Sequence, residues 1–102
     1  MRKIGQNVNV NDEAFMSLGI AVGVTSVPIA TTHKETLRLT VTNAGNKDVF
    51  IKLQAASVDD DLKGFLLYKG TAADIILAPN VYVGEVSAIA LLGTTTIFTV
   101  NY

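Results

Sequence analysis

Three consecutive carboxylates, Asp59-Asp60-Asp61, are the densest concentration of ionisable groups in the sequence. Hard cations such as Ca²⁺ take carboxylate oxygens, but calcium loops space their ligands at alternating positions and close on a bidentate Glu. Consecutive acids without that Glu fit a solvated loop better, with one Asp placed to cap a short helical turn. His33 is the sole histidine, so any metal site or Ser-His-Asp arrangement would have to be built on it. It stands in Thr31-Thr32-His33-Lys34, a loop-like stretch, and the chain holds no Gly-x-Ser-x-Gly elbow. Gly19 and Gly23 have some of the spacing of a phosphate loop but lack the Lys-Ser/Thr that completes one. Phe50 and Tyr82 are the candidate rings for stacking on a sugar or base, although aromatics more often bury their area in a core. There is no cysteine, which excludes disulfides, thiolate metal sites and cysteine nucleophiles. The expectation is therefore a chain without catalytic residues, metal ligands or cofactors.

Function without chemistry points to surfaces. The chain has 102 residues, enough for one domain with one core. Its formal net charge is −1, with no long block of either sign, and basic residues do not interleave with aromatics. Neither a nucleic-acid surface nor an anionic membrane is indicated as a partner. Charged residues make up 17 % of the chain, against about 25 % in an ordinary soluble domain. A small domain has much surface to cover, so this scarcity implies that part of it is covered by neighbouring chains. Residues 14–30 have the apolar character of a signal peptide, yet Asp12 and Glu13 stand directly before them, where a signal does not place acids. They are read as strands.

The elements that would carry such a surface are β-strands. Residues 1–11 are polar and rich in Asn, with Ile4, Val8 and Val10 as apolar anchors, and are expected to form an extended N-terminal arm. Residues 12–17 allow a short helical turn, and residues 18–24 read as a strand. Pro28 removes a ladder donor and confines its segment to a sheet edge. In residues 35–42, Leu37, Leu39 and Val41 alternate with polar residues; in residues 49–54, Val49, Ile51 and Leu53 do the same. Joined by the turn-forming residues 43–48, the two runs predict an antiparallel hairpin. Residues 65–68 and 71–77 give two further strands, and Pro79-Asn80 marks a turn.

Residues 83–102 are the most β-like stretch. Val86, Ala88 and Ala90 alternate with Ser87, Ile89 and Leu91, so both faces are largely apolar, which requires a central position or a covering partner. Leu92-Gly93 supplies the turn to a β-branched final run. The whole predicts an all-β fold: a single antiparallel β-sandwich, Ig-like or jelly-roll-like, of seven to eight short strands over residues 12–102, with the arm at 1–11.

Tyr82-Val83-Gly84-Glu85-Val86-Ser87-Ala88-Ile89-Ala90, followed by Gly93-Thr94-Thr95-Thr96 and a β-rich end, resembles the closing segment of small tailed-bacteriophage virion proteins. In these an aromatic-x-Gly-Glu-[Ile/Val]-x-Ala-Ile strand and a Gly-Thr-rich turn precede the last strand. Val41-Thr42-Asn43-Ala44-Gly45 is similar to a strand-turn of the same sandwiches. The resemblance implies a non-enzymatic structural role in the virion, most often decorating or cementing the capsid across junctions of the major capsid protein, in many copies or as a homo-oligomer. A head-tail connector or tail component is the alternative within the particle, and a carbohydrate-binding or adhesion module the alternative outside it. The expected location is the capsid surface of a virion, after synthesis in the host cytoplasm. The expected interface residues are Ile4, Val8 and Val10 in the arm and Ile89, Leu91 and Leu92 in the terminal hairpin.

Overall fold

The computed structural model describes residues 15, 16, 19–77 and 81–102. The arm at 1–11, with Ile4, Val8 and Val10, and the Pro79-Asn80 turn lie outside the described residues. Every regular element described is a strand: β1 (Phe15–Met16), β2 (Ile20–Val22), β3 (Val27–Thr32), β4 (Arg38–Asn43), β5 (Val49–Lys52), β6 (Phe65–Leu67), β7 (Ala72–Ile76), β8 (Gly84–Ala90) and β9 (Thr95–Asn101). At Phe15–Met16 the chain is paired with β9 rather than helical, which corrects the helical turn read there. β1 and β2 share one edge of β9, their register slipping by one residue between them, so they are two halves of one edge strand.

The pairing nests outward from a central hairpin. β5 pairs with β6, β4 with β7, β3 with β8, and β1 and β2 with β9, all antiparallel. Two further pairings, β4 with β9 and β5 with β8, gather these into sheets. One sheet has the order β1/β2-β9-β4-β7, the other β3-β8-β5-β6. A long hairpin rolled up in this way is a jelly roll, which decides between the two sandwich types that the strand pattern allowed. Pro28 lies in edge strand β3, next to a register irregularity between Pro28 and Ala30, as its missing donor requires.

The core lies between the sheets. Val22, Leu39, Val41 and Ile97 meet Ile29, Val49, Ile51, Leu67, Val86, Ala88 and Ala90, with Leu77 beside them. Alternation therefore identified the inward faces of β4 and β5 correctly. It misjudged the ends. Leu37 lies just outside β4 and is 61 % exposed, and Leu53 lies just beyond β5 and is also exposed.

The expected terminal hairpin does not form, because β8 and β9 belong to opposite sheets, and neither does the predicted β4–β5 hairpin: those two strands also belong to opposite sheets, and residues 43–48 cross between them. Both runs have one apolar face, and that pattern is the same whether the next strand pairs alongside or packs across the core.

β8 is buried on both faces, and both causes lie within the chain. It is central in its sheet, and residues 53–64 fold over its outer face at Glu85 and beside Ser87. Glu85 Oε2 accepts the Ala56 N–H at 2.6 Å. Next to Ser87 in the ladder stands Lys52, whose amino group reaches into the 53–64 loop. Gly64 lets this loop return so closely: its φ is +94°, and a Cβ there would stand 2.1 Å from the Ile51 carbonyl oxygen.

Candidate interaction surface

The three acids are organised around a lysine. Lys52, 1 % exposed, donates from Nζ to Ser26 Oγ (2.6 Å), to the Asp59 carbonyl (3.1 Å) and to the Asp61 carbonyl (3.3 Å). The Asp59 carboxylate lies 3.4 Å away. Ser26 donates its hydroxyl to the Asp59 carbonyl at 2.8 Å and its N–H to Asp60 Oδ1 at 2.8 Å. Three of the lysine's contacts thus take up its three donors, and the position a cation would occupy holds an ammonium. The loop is a clasp over the second sheet, with no helix for an Asp to cap, and this replaces the capped helical turn read from sequence. Among the described residues no three His, Asp or Glu side chains are grouped as a metal site.

The clasp has a pH signature. Lys63 donates to Asp59 Oδ2 at 2.7 Å, and this bond, helped by the Asp61 N–H and Gln54, lowers the Asp59 pKa from 3.8 to about 2 against the opposing effect of desolvation. The same pairing with Asp59 holds Lys63 above its ordinary value. Because the folded state binds the Asp59 proton less tightly than the unfolded state, this contribution to stability is complete above pH 3.8 and is lost as the pH falls to about 2. Protection of the amides of residues 53–64, taken relative to their intrinsic exchange rates at each pH, is expected to fall between pH 5 and pH 2, and Asp59→Asn is expected to flatten the dependence.

Neither His33 nor the two candidate aromatics assemble into a site. His33 is exposed in the β3–β4 loop, its N–H donating to Thr36 Oγ1. Phe50 stands in β5 between Ile89 and Leu66. Tyr82 packs against the core, its hydroxyl donating to the Glu85 carbonyl at 2.6 Å.

The end of the roll that carries the β2–β3, β4–β5, β6–β7 and β8–β9 turns is different. It is built on Asn43, the last residue of β4, which is fully buried. Its Nδ2 donates to the Lys47 carbonyl (2.7 Å) and the Leu67 carbonyl (3.3 Å). Its Oδ1 accepts from Thr95 Oγ1 (2.7 Å) and from the Gly45 N–H (3.3 Å). Its backbone exchanges hydrogen bonds with Gly70 and Thr71. One side chain and its peptide thus tie three of the four turns together. Asp48 adds a second tie: its carbonyl accepts the Leu91 N–H and its carboxylate the Lys69 N–H. The fourth turn is held where the Gly23 carbonyl accepts the Ala90 N–H at 2.7 Å.

This rigid frame presents apolar side chains to solvent. Leu91 is 50 % exposed and Leu92 68 %, with Val24 and Tyr68 exposed on neighbouring turns. Leu91 and Leu92 border a shallow hollow of about 180 Å³, completed by Asn46, Lys47, Asp48 and Lys69. Of the predicted interface residues, then, Leu91 and Leu92 lie together on an open surface. Ile89 is 2 % exposed within the single chain, leaving almost nothing of it for a partner to touch. Sequence reasoning missed Lys47 and Lys69, which lie on separate turns and adjoin only through the crossover at 43–48.

No protein-family model, curated protein or solved structure matches this chain. A functional reading therefore rests on the surface itself and on the short terminal motif.

Leu91 and Leu92 are adjacent in one turn and together leave apolar surface open to solvent. Lys47, Lys69 and Asp48 place charges of both signs around them.

Proposed function

We propose that this protein is a non-enzymatic structural component of a virion, decorating or cementing a capsid by binding across junctions of the major capsid protein. The observation that carries the reading is the pre-ordered apolar turn end: Leu91 and Leu92 projected from a frame fixed by Asn43 and Asp48. A frame held by buried hydrogen bonds loses little freedom on docking. Each contact is small, and a repeating shell compensates by offering many sites. The terminal motif, with its similarity to tailed-phage virion proteins, supports the same reading.

The test is quantitative mass spectrometry of purified particles from a host that expresses the chain. Decoration requires the chain to remain with intact particles through density-gradient purification, in a copy number comparable to that of the major shell protein. A copy number corresponding to one small ring would place it at a connector or tail, and loss from the particles would remove the structural role.

A further inference from the structure

The jelly roll leaves an open edge. In its sheet β7 pairs with β4, and no described strand lies beyond it. Ala73 and Ile75 face inward, in register with Val41 and Leu39 of β4. Those partners are fully buried, whereas Ala73 and Ile75 remain only half-buried. The core seam is thus incomplete at this edge. The outward residues Ala72, Asp74 and Ile76 are exposed, and Asp74 accepts a hydrogen bond from Thr40 Oγ1.

The composition of the edge discriminates between occupants. Pairing β7 with β7 of a second copy, centred on Asp74, would set two carboxylates directly opposite each other, which disfavours the pair. An uncharged segment with two apolar residues two positions apart would suit the edge. Asn7-Val8-Asn9-Val10-Asn11 is such a segment. Laid antiparallel, it sets Val8 beside Ile75 and Val10 beside Ala73, on the inner face, and Asn9 beside Asp74, where its amide can donate to the carboxylate.

Chain length excludes the protein's own segment in this register. Phe15 lies in β1, at the opposite edge of the same sheet. A strand added beyond β7 would be four strand spacings from β1, about 19 Å. The five residues from Val10 to Phe15 reach about 17 Å when fully extended, and crossing the sheet surface lengthens the path further.

We propose that the β7 edge receives the segment around Val8 and Val10 from a second copy of this chain, as an added antiparallel strand. The contact joins two different surfaces, so successive copies associate head to tail and close into a ring where their rotation allows. This goes beyond the shell-binding reading, and its test uses no particle, so either can fail without the other.

The absence of native cysteine makes a cross-link decisive. Residues opposite each other in a ladder are within disulfide range. Asn9→Cys and Asp74→Cys chains, one carrying a mass tag, are mixed and oxidised. The expected product is a tagged–untagged dimer with a 9–74 disulfide, mapped by peptide mass spectrometry and several-fold more abundant than any dimer from either chain alone. In the double variant the same link is expected between chains. Val8→Asp/Val10→Asp, with its folding checked by circular dichroism, is expected to sediment as a monomer under conditions in which the parent self-associates. A 9–74 link closed within one chain, absence of the link from the mixture, or self-association unchanged by the two aspartates would overturn the proposal.

Discussion

Replacing Asn43 with Ala is expected to lower the free energy of unfolding by about 3–5 kcal/mol, a large part of the roughly 5–15 kcal/mol that holds a domain of this size together. The side chain makes four hydrogen bonds, to Lys47, Leu67, Gly45 and Thr95. Each is worth about 1 kcal/mol net when made and costs more when a buried partner is left without one. Here the carbonyls of Lys47 and Leu67 lose a donor, and Thr95 Oγ1 loses an acceptor in a buried position. Asn43→Asp is not expected to rescue, because it sets a carboxylate against two carbonyls that need a donor. Chemical denaturation measures the loss. Because the same bonds position the Leu91-Leu92 turn through the crossover, binding by the variant is expected to weaken even at temperatures where it remains folded.

Ile89→Asp is expected to prevent folding altogether. The position is 2 % exposed and central in its sheet, and an unpaired charge there carries a penalty of several kcal/mol or shifts to neutrality at comparable cost. Circular dichroism and limited proteolysis are expected to show an unfolded chain. Leu92→Asp, three residues further on and 68 % exposed, is expected to melt within a few degrees of the parent. The contrast separates the two roles that the apolar terminal stretch combines, its strands β8 and β9 lying in opposite sheets. β8 is buried on both faces within its own chain, residues 53–64 closing over its outer side at Glu85 and beside Ser87. The turn that follows is apolar and leaves half or more of Leu91 and Leu92 uncovered by its own chain.

That distinction was only half legible in the sequence. Two-residue alternation locates the inward faces of β4 and β5, because strand geometry ties parity to side. It carries nothing about which strand lies alongside. The crossover at 43–48 depends on Asn43 bonding to residues 24 and 52 positions away, and no local pattern contains those distances. Lys52 reads as a wet residue on an outward face. It is buried because Asp59 and Asp61 turn back to meet it, and the cluster of acids showed that a loop was present without showing what it held. The apolarity of Leu91 and Leu92 beside a glycine turn was legible, and the structure leaves both side chains exposed. The lysines beside them were not legible, since Lys47 and Lys69 meet that turn only in the rolled fold.

The central claim is that the Leu91-Leu92 end of the roll docks onto a protein shell. The most direct measurement is retention on particles assembled without this protein, comparing the parent with Leu91→Ser/Leu92→Ser in sedimentation binding assays. The account predicts saturable retention of the parent, a loss of at least about tenfold in affinity for the variant, as removal of a buried apolar anchor brings, and unchanged melting of the free variant. Equal retention of the two proteins, or no retention of either, would contradict it.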